Sequence, residues 1–201
     1  MGALTMRFSK LPLLLVAAAA FPLGACMTMT DDGSMSGMQG EQTVTVGGAA
    51  MYPSRNIIEN AVNSADHTTL VAAVKAAGLV DTLSGPGPFT VFAPTNAAFA
   101  KLPAGTVETL LKPENKAMLQ TVLTYHVVPG RVTAADLMQQ IRAGGGSARL
   151  TTVQGGTLTA RMQGSNIVLV DAKGGTATVT QADVMQSNGV IHVTDSVSLP
   201  G

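Results

Sequence analysis

Charge is scarce in this chain. Of 201 residues only 12% are charged, against roughly 25% in an average globular protein. Twelve Lys and Arg balance twelve Asp and Glu, for a formal net charge of +0. Without a basic excess, nucleic acid is not expected as a partner. Aromatic residues are 3% and Trp is absent, which makes a stacking platform for bases or sugars hard to build. One Cys makes neither an intrachain disulfide nor a metal-ligand spacing. The three histidines stand apart, at His67, His126 and His192, and no H-E-x-x-H is present. G-x-S-x-G is absent too. The Gly-rich "RAGGGSAR" lacks the Lys-Ser/Thr ending of a phosphate loop and follows a helical pattern. Neither catalysis, nor a cofactor, nor a metal is expected from these residues.

What is abundant is apolar: 46% of the chain is hydrophobic, enough for a real core. Part of it is an address. In "MRFSKLPLLLVAAAAFPLGAC", Arg7 and Lys10 are the basic region and Leu11 to Ala20 the apolar run. That run is too short for a comfortable membrane span. Leu23 to Cys26, "LGAC", resembles the bacterial lipobox. The resemblance implies a signal peptide over residues 1–25 and a lipid on Cys26, through which the chain would be membrane-bound. An uncleaved anchor and an incidental cysteine are the alternatives. Met6 is an alternative start. Met27 rather than Asp after the cysteine leans towards the outer membrane.

Residues 26–50 read as a polar Gly/Ser/Met-rich tether with no apolar period. Met27, Met29, Met35 and Met38 are soft thioethers, but no His or Cys joins them to make a Cu(I) site. From residue 51 onward the chain reads as one domain, helices first and strands second. Thr68 or Thr69 is positioned to cap a helix with Leu70, Val71, Val74 and Ala77 on one face and Gly78 at its end. Pro113 opens another helix, with Leu119, Val122, Leu123 and His126 on one face. Thr133 and Asp136 form a capping-box pattern. After "AGGG" come short β-branched runs, separated by Gly155-Gly156, Gly164-Ser165-Asn166 and Gly174-Gly175. The layout is α+β.

Three short stretches carry the remaining information. "FTVFAPTNAAF" (Phe89–Phe99) is a strand ended by Pro94, followed by a turn that Thr95 or Asn96 caps. In "GVIHVTDSVSL" the period of two puts Ile191, Val193, Asp195, Val197 and Leu199 on one face. Asp195 is therefore expected to be buried, with donors from Thr95, Asn96 or backbone amides of the first of these stretches. His192, on the other face, is expected nearer solvent. His126 continues an apolar helix face, so partial burial with a bonded ring nitrogen is expected. The phenol of Tyr125, at the helix end, is expected to reach water.

"GPFTVFAPTNAAFAKLP" (Gly87–Pro103), "TYHVVPG" (Thr124–Gly130) and "NGVIHVTDSVSLP" (Asn188–Pro200) resemble, in order and spacing, the signature motifs of fasciclin domains. The resemblance spans about Asn56 to Leu199. It implies a wedge-shaped β-sandwich or partial barrel of about seven strands flanked by several α-helices. It also implies a non-catalytic adhesion or interaction module of the cell envelope, with an unidentified surface protein or matrix partner. Tyr125 and His126, from the family's Tyr-His motif, join Thr95, Asn96, His192 and Asp195 from the residue reading above as the candidate interaction or structural residues. Carriage of an apolar ligand, carotenoid- or lipid-like, is the alternative.

Overall fold

The computed structural model describes residues 42–201. The signal peptide, Cys26 and the tether up to residue 41 lie outside the described residues. The domain starts earlier than the expected boundary at residue 51. Strands β1 (Val44–Val46) and β2 (Ala49–Met51) form an antiparallel hairpin. Val46 and Met51 are buried in the core, so this segment belongs to the head and not to the tether.

The helical half then follows: α1 (Ile57–Ala61), a 3₁₀ turn (Ala65–His67), α2 (Thr68–Ala77) and α3 (Val80–Ser84). After strand β3 (Phe89–Pro94) come α4 (Asn96–Ala100) and α5 (Thr106–Leu111). A 3₁₀ turn at Pro113–Asn115 leads into α6 (Lys116–Tyr125), and the short strand β4 (Val127–Pro129) into α7 (Ala134–Ala143). Five strands complete the chain: β5 (Ser147–Thr151), β6 (Thr157–Gln163), β7 (Asn166–Val170), β8 (Thr176–Gln186) and β9 (Gly189–Thr194). Gly78 ends α2 at φ 71°, a left-handed cap that costs glycine little. Thr133 and Asp136 close the expected capping box on α7. The α2 start differs from expectation: neither Thr68 nor Thr69 caps it, because both lie inside the helix.

The sheet has the order β4-β3-β9-β8-β7-β6-β5. Only β3 and β9 pair in parallel. The sheet curls until its two edges nearly meet: just past β5, the Val153 amide donates to the Val127 carbonyl of β4 at 2.7 Å. This is the expected α+β partial barrel of about seven strands. Its core has two halves. One lies between the helices and β3, β8 and β9, and contains Leu70, Val74, Val91, Ala93, Ile191 and Val193. The other fills the curl under α7 and contains Phe92, Tyr125, Leu137, Ile141, Leu158 and Leu169. Since β3 and β9 sit between the halves, both their faces are buried, and alternation along them separates two cores and not core from solvent.

Candidate functional site: the knot of three motifs

The three motifs, far apart in the chain, become three adjacent strands. Phe89 to Pro94 pairs in register with Gly189 to Thr194, and Val91 pairs with Val127 on the other side. The contact is close enough that a Cβ on Gly189 would penetrate the Phe89 carbonyl oxygen.

Tyr125 and His126 sit where α6 turns into β4, and both are buried, at 1% and 3% exposure. The Tyr125 hydroxyl donates to the Thr157 carbonyl at 2.7 Å and accepts from the Ala172 amide at 3.1 Å. It reaches β6 and the β7–β8 turn, and not water as expected from its place at a helix end. Burial pushes its pKa up, against the lowering effect of the Ala172 amide. His126 Nδ1 bonds the Val122 carbonyl at 2.8 Å, and Nε2 lies 3.0 Å from the Ser198 amide. A carbonyl only accepts and an amide only donates, so Nδ1 carries the proton and Nε2 is the acceptor. The ring is a neutral clamp between α6 and the C-terminal segment. Burial lowers its pKa, over the raising influence of the Val122 carbonyl and the Asp171 charge.

Asp171, absent from the residues expected from the sequence, completes this junction. Its Oδ1 accepts from the Lys173 and Gly175 amides, and its Oδ2 from the Leu199 amide at 2.9 Å. The signal was present in "DAKGG": an Asp opening a Gly-Gly turn bonds backbone amides two to four residues on. His126 and Asp171 thus hold successive C-terminal residues, Ser198 and Leu199.

Thr95 and Asn96 divide two tasks. Thr95 caps α4 by accepting from the Ala98 amide at 3.2 Å. Asn96 reaches across to α2, accepting from the Thr69 amide at 3.0 Å and donating to the Ala65 carbonyl and Thr68 hydroxyl. The cap that the sequence places on Thr68 or Thr69 comes from this residue, 27 positions away.

His192 and Asp195 are corrections. His192 is fully buried, because its face of β9 meets the second core half. It stacks on Phe92 with centroids 5.5 Å apart. Its Nε2 donates to the Val132 carbonyl at 2.9 Å, and its Nδ1 accepts from the Asp183 amide. Burial lowers its pKa too. Asp183 stands at φ 57° in an irregular part of β8, and its carboxylate caps α7 at the Ala134 amide. Asp195 lies beyond the end of β9, so the strand period no longer sets its direction. Its side chain is 38% exposed and pairs with Lys101 at 3.3 Å. The Thr178 amide of β8 donates to it at 2.8 Å, in place of Thr95, Asn96 or an amide of the Phe89–Phe99 stretch. Partial burial raises its pKa, but the Thr178 amide, the Lys101 and Ser196 bonds and the Lys101 charge outweigh this and hold it low.

His67, the third histidine, is also buried. Its Nδ1 lies 2.9 Å from the Ser64 hydroxyl. A Ser-His contact is the beginning of a hydrolase dyad, but Ser64 is 1% exposed and no substrate reaches it. Burial lowers the His67 pKa. An apolar cavity of about 40 Å³ lies between the helices and the sheet, lined by His67, Leu70, Val74, Phe92, His126 and Ile191 among others. Sites for organic ligands start at roughly 300 Å³, so this cavity is too small to hold one. Among the described residues, no group of three or more His, Cys, Asp or Glu is placed to hold a metal.

The sequence profile described as "Fasciclin domain" matches residues 65–200. The chain is 51% identical over 160 residues to "Protein sll1483" of Synechocystis sp., covering 80% of this chain and 82% of that one. It is 32% identical over 176 residues to "Cell surface glycolipoprotein MPB83" of Mycobacterium bovis, covering 88% and 68%. Among solved structures, the FAS1 domain pair of the insect cell adhesion molecule fasciclin I superposes with a TM-score of 0.64 at 18% identity, covering 79% of this chain and 58% of that one.

Proposed function

The chain belongs to the fasciclin family, whose domains serve in cell adhesion and interaction, and from that premise we propose a non-catalytic contact module tethered to the bacterial cell envelope. One observation carries this reading: the histidines and the tyrosine of the three motifs are spent inside the fold. Both ring nitrogens of His126 and of His192 are occupied, as is the Tyr125 hydroxyl. A neutral histidine with two backbone partners has no nitrogen left to move a proton. The motifs build a rigid body, and contact falls to its outer surface.

The anchor is a lipid on Cys26, with the head held off an outer membrane by the segment that follows. The "LGAC" box supports it, and the relative named a glycolipoprotein is in keeping with it. Cys26→Ser would move the protein from the membrane pellet to the soluble fraction; unchanged pelleting would sink the anchor. Affinity capture from envelope extracts tests the contact role. A partner captured by the wild type and released by surface substitutions supports it. Failure to retain any envelope protein or polymer above a denatured control overturns it. The alternative, an apolar-ligand carrier, is the weaker reading, since the apolar cavity between the helices and the sheet, at about 40 Å³, is several times too small for such a ligand.

A further inference from the structure

Between Leu137 and Val170 the chain has three arginines, Arg142, Arg149 and Arg161, and neither Asp nor Glu. A formally neutral protein therefore concentrates uncompensated positive charge in one structural unit. That unit is the β5–β6 hairpin with the end of α7. The hairpin register decides what its outer face displays. Ser147 pairs with Arg161, Arg149 with Thr159 and Thr151 with Thr157. The alternate pairs, Ala148 with Ala160 and Leu150 with Leu158, are buried against the core. Every outward position is thus a guanidinium or a hydroxyl. Arg149 and Arg161 are diagonal neighbours, roughly 7–8 Å apart along the pleat. Both are exposed. The two ion pairs found among the described residues, Lys101–Asp195 and Lys112–Glu114, involve neither.

Charged residues on an edge strand also guard against unwanted strand pairing. That accounts for Arg149 on β5, which is an edge. It does not account for Arg161, because β6 is paired on both sides, by β5 and β7.

We propose that this outer face is a docking strip for an acidic, carboxylate-bearing polysaccharide of the cell envelope. The inference rests on the contact-module reading and names the partner class. Five paired positions along the hairpin give a strip about 17 Å long, suited to an extended polymer. Guanidiniums pair with carboxylates in a two-pronged geometry, and Ser and Thr hydroxyls bond sugar hydroxyls. An anionic membrane surface is the poorer fit. Lipid recognition draws on clusters of four to eight Lys or Arg, and the six paired outward positions carry no apolar side chain to insert.

The test uses the full chain in detergent micelles, with alginate as the probe, neutral dextran as control and phosphatidylglycerol vesicles as the competing surface. Wild type should bind alginate at about 50 mM NaCl and release it at about 500 mM, where the screening length falls severalfold. Arg149→Gln/Arg161→Gln should weaken binding roughly tenfold or more, with an unchanged circular dichroism spectrum. Arg161→Gln alone, on an interior strand, should weaken it even where the double variant aggregates. Arg55→Gln, remote in sequence and stacked on Tyr52, should leave it intact. Absence of binding by the wild type, equal binding by Arg161→Gln, or preference for the vesicles would overturn the proposal. Those results leave the contact reading standing, since capture of a protein partner reports on it separately.

Discussion

The Ser198 amide donates to His126 Nε2 at 3.0 Å, joining the end of α6 to the last segment of the chain across 72 residues. The bond requires one tautomer of a neutral ring, and that ring is buried. The Tyr-His motif is therefore a clasp, and its energetics predict how the protein responds to substitution and to pH.

His126→Gln should destabilise the domain by about 1–3 kcal/mol, since one amide cannot reproduce both ring contacts and a buried backbone group is left unpaired. Tyr125→Phe should cost a similar amount. Its hydroxyl satisfies a buried carbonyl and an amide, and both lose their partner. Urea denaturation of the two variants checks this. A Tyr125→Phe midpoint equal to wild type would mean that water replaces the phenol.

Stability should fall as pH drops below about 6.5, the ordinary histidine value. His67, His126 and His192 all have pKa values lowered by burial. Between the lowered folded value and the unfolded one, the unfolded chain binds protons that the fold excludes, so acid favours unfolding. The stabilisation is complete above the unfolded value and is lost as pH falls through the folded one. Melting temperature measured from pH 8 to pH 5 should decline below about 6.5. A flat profile would show that the rings titrate normally.

Asp195→Ala should have a smaller effect, about 1 kcal/mol. The Thr178 amide loses an acceptor, but the position is partly exposed and water can replace the carboxylate. The Lys101 pair adds little, being a surface ion pair. A loss comparable to that of His126→Gln in the same denaturation assay would indicate a buried role for this carboxylate.

Gly189→Ala should be severe, about 3 kcal/mol or more. The added methyl would enter the Phe89 carbonyl oxygen, which lies in a two-sided core strand and cannot withdraw. Soluble yield and resistance to limited proteolysis would both drop. Wild-type behaviour in both would show that β3 and β9 can separate without penalty.

Local rules made much of this fold legible. Gly78, the Thr133–Asp136 box and the paired glycines mark turns and caps through contacts within a few residues, so their meaning travels with the sequence. The order of the three motifs pointed to the family, and the α+β layout followed from helical and β-branched periods. Other features depend on what a residue meets across the fold. His192 and Val190 alternate with Ile191 along β9 as on a half-buried strand, yet all are buried, because a second core half covers the far face. Asn96 capping α2, Asp171 holding Leu199, and Tyr125 bonding Ala172 join positions 27 to 47 residues apart. No spacing rule reaches that far. Such pairings exist only once the elements have packed, because only then do amides and carbonyls meet the few side chains close enough to satisfy them.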